Sequence, residues 1–211
     1  MTAHAPPAGT RRTQAERRAR TRAMLITATV RAIAEDGYHA ATTRRIAELA
    51  GFSLGALAHH FPSRLDLVAA ALDEVGRRTV ADLHAHAAEL PPDGPDRYRA
   101  ALDAIWAHFS GELFVVWLKV WIAAAEDPVL YERLVPLQPQ LSRAISAATA
   151  DLAPPGVPRR EWSSRLTVVL DAIRGLALRR AVEPRDAGAD DPWPGTRDQL
   201  VRLLVGGPPP S

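Results

Sequence analysis

The stretch from Thr42 to Phe61 constrains this chain more than any other. It reads Thr-Thr-Arg-Arg-Ile-Ala-Glu-Leu-Ala-Gly-Phe-Ser-Leu-Gly-Ala-Leu-Ala-His-His-Phe, two short helical patterns that each follow a hydroxyl residue and meet at Gly51. Thr42 or Thr43 is placed to cap the first helix and Ser53 the second. In each case a side-chain oxygen accepts one of the backbone N–H groups that a first turn leaves unpaired. Gly51 permits a tight turn between them. Ile46, Ala47 and Leu49 on one side, with Leu57 and Phe61 on the other, supply an apolar seam, and Ala47 is small enough for a close crossing. The pattern predicts a helix-turn-helix, whose second helix fits the major groove of DNA.

The flanking segments are helical by the same criterion. Ile26, Val30, Ile33 and Ala34 recur at spacings of three and four and predict a first helix over Gln14 to Asp36. Gly37 should stop it in a left-handed conformation, with Tyr38 folding back on the last turn. Ser63-Arg64-Leu65-Asp66 has the form of a capping box and opens a helix toward Ala88 through Val68, Leu72, Val75, Val80 and Leu83. Beyond the break at Pro91 to Pro95, Tyr98, Leu102, Ile105, Trp106 and Phe109 form another stripe. Gly111 separates it from Leu113 to Ala125, a segment apolar on nearly all sides and so expected at the centre of a second domain. Asp127-Pro128 opens a further helix, which Pro136 and Pro139 should kink or break before Leu141, Ile145 and Leu152 resume. After Pro154 to Pro158, a helix from about Arg160 to Val182 carries Leu166, Val169, Leu170, Ile173 and Ala177 on one face. Pro184 to Pro194 reads as a loop and about Thr196 to Val205 as the last helix. With no repeat and no segment that must be β, the fold class expected is all-α.

Composition narrows the function. The 211 residues, 47% of them hydrophobic, suit one or two small domains with a real core. No cysteine is present, which rules out a disulfide framework and a thiolate metal site. The net formal charge of +2 hides an asymmetry: through Leu72 ten arginines face five carboxylates, a balance of +5, so the remainder carries −3. Arg11, Arg12, Arg17, Arg18, Arg20 and Arg22 precede or open the first helix, where they can follow a phosphate backbone and release its counterions. A solvated terminal tail is the other reading of the same charges. Met1 to Gly9 lacks an apolar core, and Leu113 to Ala125 contains Lys119 and is too short for a bilayer, so a cytoplasmic protein without a membrane partner is expected. No Gly-rich phosphate loop or His-Glu-x-x-His occurs. His84 and His86 lie on different helix faces, and Asp82 with His86 reads as a solvated pair. No catalytic residue, metal or cofactor is therefore expected.

Ala28, Gly37-Tyr38, Thr42-Thr43, Ile46-Ala47, Ala50-Gly51, Ser53, Gly55, Leu57, His60-Phe61, Ser63 and Leu67 together resemble the DNA-binding domain of the TetR family of transcriptional regulators. Trp117 to Asp127 and Leu170 to Leu178 are similar, through apolar residues, to the C-terminal domains of BetI-type members. The resemblance implies a flexible arm over 1–13, a three-helix DNA-binding domain over 14–66, and an effector-binding and dimerisation domain over 67–211. It implies that Leu54, Gly55 and Ala56 approach base edges, that Thr43, His60 and Arg64 grip phosphates, and that Arg44 reaches a base. Family members usually carry a tyrosine that touches a phosphate where this chain has Ala58. Leu54 and Ala56 have no hydrogen-bonding groups and can read only a thymine methyl or fill space, so polar readout falls to Arg44, Arg45 and His59. Ser53, at the head of the recognition helix, completes the DNA-facing set.

A helix-turn-helix leaves most of the chain without a task, and that remainder holds Trp106, Trp117, Trp121 and Trp162. Trp106, Phe109, Phe114, Trp117 and Trp121 are expected to line an apolar pocket for a small-molecule effector, with His108 or Tyr131 as polar anchors. Plain core is the alternative for each. The helix containing Leu166 to Ala177 and the last helix are expected to pair with their symmetry mates as a four-helix bundle, Ala172 and Gly175 permitting close approach, unless they form an ordinary intramolecular pair. The whole reads as a ligand-responsive repressor that binds a palindromic double-stranded operator as a homodimer and is released by its effector. The rival readings are an all-helical protein-interaction module and a small helical enzyme.

Overall fold

The computed structural model describes residues 13–92, 94–182 and 191–206, so the expected arm lies outside it except for Thr13. The chain forms α1 (Gln14–Asp36), α2 (Thr43–Ala50), α3 (Leu54–His60), α4 (Arg64–Ala88), α5 (Pro95–Phe109), α6 (Glu112–Ala124), α7 (Pro128–Leu134), α8 (Leu137–Ala148), a 3-10 turn at Ala150–Leu152, α9 (Arg159–Val182) and α10 (Trp193–Val205). No strand occurs among the described residues, and the fold is all-α.

Among the described residues, side-chain caps set the starts of five helices. Thr13 and Glu16 form a reciprocal capping box on α1. Thr42, rather than Thr43, caps α2 by accepting from Arg45 N at 3.2 Å, and Ser53 caps α3 from Ala56 N at 3.1 Å. Ser63 caps α4 from Asp66 N at 3.1 Å, and Asp127 caps α7 from Val129 N and Leu130 N at 3.0 Å each. Such caps contribute about 1 kcal/mol apiece. Gly51 turns the chain between α2 and α3 at φ 71°, ψ 30°, the left-handed geometry expected. Gly37 differs: at φ 84°, ψ 168° it occupies an extended positive-φ region that is also closed to other residues.

Two apolar clusters hold the molecule together. The first joins Leu25 and Ile33 of α1, Ile46 of α2, Leu57 of α3 and Leu67, Val68 and Leu72 of α4, and it continues into Val116, Val120, Ala123 and Ala124 of α6 and Leu130 and Leu134 of α7. The second joins Leu102, Ile105, Trp106 and Phe109 of α5 and Phe114 of α6 to Ile145, Trp162, Leu166, Val169, Ile173, Trp193, Leu200 and Leu204. This corrects the placement of α6. It is not central to the second domain but lies between the two clusters, and Ile122 on its outer face is 60% exposed. Its apolar circumference is divided between two partners, which one-sided periodicity does not foresee.

The C-terminal loop is also shorter than expected where it is described. α10 begins at Trp193, with Pro194 in the first turn, where no N–H is needed. Residues 184–190 of the expected loop lie outside the described residues. Pro136 separates α7 from α8, whereas Pro139 sits within the first turn of α8. No single helix among the described residues is long and apolar enough to cross a membrane.

Candidate nucleic-acid interface and effector cavity

The recognition helix α3 hangs on Leu57, which is buried, while Leu54 (51% exposed), Gly55, Ala58 and His59 face outward. Ala56 and Thr43 are half-buried. Arg44 extends from α2 and, among the described residues, pairs with the exposed Glu48 at 3.2 Å. A surface pair of that kind is worth about 0–1 kcal/mol, so a base or phosphate can readily replace Glu48. Ser53 uses its oxygen lone pair for the cap, which leaves its hydroxyl proton to donate outward.

Two arginines assigned to DNA are already engaged within the protein. Arg45 donates through Nε to Asp36 at 2.7 Å and through a terminal nitrogen to Glu35 at 3.3 Å, and the Asp36 bond is the main reason its guanidinium is held above its usual pKa. It ties α2 to the last turn of α1. Arg64 donates through Nε to Ala41 O at 3.0 Å and through a terminal nitrogen to Tyr38 O, with its guanidinium 4.1 Å from the Tyr38 ring centroid. It secures the α1–α2 connection. Neither clamp has a local signature, since the partners are nine or more residues away in sequence.

His60 lies at the C-terminal end of α3, with Nδ1 buried and unpaired, so its Nε2 edge is the one that can meet a phosphate. Burial first, then the charges of His59, Arg18 and Arg22, lower its pKa. Arg22 of α1 lies with its guanidinium 4.9 Å from the ring centroid of Phe61, at the end of the recognition helix, and with Arg18 it makes a cationic margin suited to DNA phosphates.

A cavity of about 260 Å³ opens among α4, α5, α6, α8 and α9. Four of the five expected aromatics line it: Phe109, Phe114, Trp117 and Trp121. Trp106 does not. It belongs to the second core, stacked on Trp193 with ring centroids 4.8 Å apart, because Trp193 is held there by its own Nε1 bond to Asp103 at 2.7 Å. Of the two expected anchors, His108 lines the cavity, whereas Tyr131 is 50% exposed outside it and meets Trp121 edge-on. Thr79, Ser142 and Arg174 are polar lining residues that the sequence reading missed; Thr79, a hydroxyl among the apolar residues of α4, was the one available sign.

The His108 ring has a definite proton arrangement. Its Nε2 is 3.0 Å from Thr79 Oγ1, and the Thr79 hydroxyl donates to Val75 O at 2.9 Å. Both bonds form together only when Nε2 carries the ring proton. Burial lowers the His108 pKa against a weaker opposing effect of Asp82, which favours that neutral ring.

Cavity and reading head share walls. Val75 lines the cavity and belongs to the core beneath the helix-turn-helix. On α6, Trp117 and Trp121 face the cavity while Val116 and Val120 enter that same core. Lys119, between them, donates through Nζ to Ala34 O at 2.6 Å, closing one of the carbonyls that α1 leaves open at its C-terminus. Among the described residues, no group of three or more His, Cys, Asp or Glu side chains could hold a metal ion.

Residues 25–71 match the family signature of bacterial regulatory proteins, tetR family. An uncharacterised HTH-type transcriptional regulator of Mycobacterium bovis is 33% identical over 197 residues, which span 92% of this chain and 95% of that one. The HTH-type transcriptional regulator BetI of Burkholderia thailandensis is 30% identical over 167 residues, 76% of this chain and 82% of its own. The multidrug binding protein EbrR, solved with imidazole, has the same fold, with a TM-score of 0.63 at 21% identity over 90% of this chain and 96% of that one. With its helix-turn-helix, its all-helical second domain and these full-length relatives, the chain belongs to the TetR family of transcriptional regulators.

Proposed function

We propose that the protein is a repressor that binds a palindromic operator as a homodimer and releases it when a small molecule fills the α4–α6–α9 cavity. The observation that carries this reading is the double role of α6, which presents Trp117 and Trp121 to the cavity and Val116, Val120 and Lys119 to the DNA-binding core. A ligand that fits one setting of α6 better than another shifts the population between settings by its differential affinity. The shift then reaches α1 directly, and α2 through the Arg45 clamp on Asp36 and Glu35.

In this reading Arg44, His59, Leu54, Gly55 and Ala56 meet bases, and Thr43, Ser53 and His60 meet phosphates with help from Arg18 and Arg22. Arg45 and Arg64 hold the motif in shape. The DNA-reading part is 14–66 and the effector and dimerisation part is 67–211, with α4 joining them. For dimerisation, the outward face of α9 offers Val168, Ala172, Gly175 and Val182, and α10 adds Leu203 and Val205, all exposed. Gly175 also lines the cavity, so the open space that a Cβ built there would meet lies at the cavity's edge, and the support for dimerisation comes from the exposed apolar residues Val168, Val182, Leu203 and Val205. Two recognition helices related by a twofold axis sit one DNA turn apart or a multiple of it, hence the palindrome.

Selection of bound genomic fragments followed by anisotropy titration tests this reading. The expected result is a palindromic consensus bound by two chains. Selection of an asymmetric site, or one chain per site by sedimentation, would contradict it.

A further inference from the structure

The charges around the cavity indicate what it admits. Among the described residues that line it, Arg174 is the only arginine, and no lysine, aspartate or glutamate faces the space. The guanidinium carbon lies 5.7 Å from the Phe109 ring centroid, at the aromatic wall. One of its nitrogens donates to Asp171 at 2.8 Å, and its other N–H groups have no partner among the described residues. Asp171 is not part of the cavity wall, and its side chain is 62% exposed, so water weakens its hold on the arginine. The Arg174 side chain is 35% exposed, and an anion inside the cavity would meet it partly shielded from water by the aromatic wall, where the attraction is stronger than at the open surface. A guanidinium edge also accommodates two carboxylate oxygens at once.

Size limits the rest of the ligand. About 260 Å³ is below the roughly 300–1,000 Å³ common for drug-sized ligands, and it suits one ring with a short chain. Phe109, Phe114, Trp117 and Trp121 provide flat apolar contact for such a body.

We infer that the cavity takes a small aromatic or similarly apolar carboxylate, held at its charged end by Arg174, and excludes cations of the same shape. This rests on the reading of the cavity as the effector site and adds the charge class of the effector. A cation would face Arg174 with no carboxylate in the wall to offset it.

Isothermal titration with three probes of one shape tests this: 3-phenylpropionate, 3-phenylpropan-1-ol and 3-phenylpropylamine. The acid should bind about tenfold or more tighter than the alcohol, and the amine weakest. Arg174→Gln should remove the preference for acid over alcohol while the alcohol's own affinity changes less than about threefold, which also reports that the cavity is intact; Arg174→Lys should keep part of the preference. Equal or tighter binding of the alcohol or amine, an undiminished acid preference in Arg174→Gln, or no binding of any probe at millimolar concentration would overturn the inference. Operator release is measured alongside. Arg174-dependent binding of the acid without release would support the ligand class and remove the release mechanism instead.

Discussion

Replacing Lys119 by methionine isolates the link between cavity and reading head. Methionine keeps an apolar stem of similar length and removes only the ammonium that closes Ala34 O at 2.6 Å. Hydrogen bonds to charged groups contribute about 1.5–3 kcal/mol, with a charge at a helix C-terminus included in that figure. Because Lys119 is only half-buried, water recovers part of the loss, and about 1–2 kcal/mol is the expected cost. At about 2–4 °C per kcal/mol for a chain of this size, Tm should fall by about 2–8 °C. The functional effect is separate: coupling between two sites is commonly 1–3 kcal/mol, or about 5- to 150-fold in affinity. Anisotropy titrations on operator DNA with and without 3-phenylpropionate should show the ligand-induced loss of affinity reduced by at least about threefold in Lys119→Met. Lys119→Arg, which retains the charge, should recover much of both effects. A melting temperature within about 1 °C of the parent, together with undiminished ligand response, would refute the assignment of the link to this bond.

Three further outcomes follow from the DNA-facing side. Arg44→Ala should lower specific operator affinity by about 1–3 kcal/mol with little change in melting temperature, whereas Arg45→Ala should lower melting temperature and weaken specific and non-specific DNA alike; paired anisotropy titrations and melts separate the two roles. Ala58→Tyr, which places a phenol on the exposed face of α3, should raise affinity about 2- to 10-fold for any sequence without steepening the salt dependence, because a neutral hydroxyl releases no counterion. His60 gives a pH dependence: its pKa is lowered in the free protein by burial, His59, Arg18 and Arg22, while a DNA phosphate favours the charged ring. Binding therefore takes up a proton, and operator affinity should rise as pH falls from about 7.5 to about 5.5, with a flatter profile for His60→Gln. The same lowered value means that the free protein loses stability as pH falls through the ordinary histidine range, since the unfolded chain binds that proton more readily.

The features legible in the sequence were those whose causes are local. The Gln14 to Asp36 helix, the caps at Ser53, Ser63 and Asp127, and the turn at Gly51 each depend on residues within a few positions of one another. Contacts between residues distant in sequence carry no such local sign. Lys119 reaches Ala34 across 85 positions, Arg64 reaches Ala41 across 23, and Trp193 bonds Asp103 across 90. Arg45 and Arg64 illustrate this, because their internal acceptors Asp36, Glu35, Ala41 and Tyr38 lie nine or more positions away. Trp106 does the same for the cavity: its stripe was visible, but the ring that covers it comes from a segment expected to be loop. α6 shows the limit of periodicity itself, since a helix apolar all round does not say how its faces are shared.

The central claim is that filling the cavity changes the spacing of two recognition helices. The absence of cysteine makes this measurable with one label, because Ala58→Cys introduces a single thiol on the exposed face of α3. Spin labels there report one distance per dimer by pulsed electron resonance. Without ligand, the distribution should include a population matching half-sites one helical turn apart, roughly 34–36 Å between helix centres, or a multiple of it. Saturating 3-phenylpropionate, with occupancy checked by calorimetry, should deplete that population in favour of another distance. An identical distribution with the cavity filled, or no inter-chain distance at all, would contradict the account.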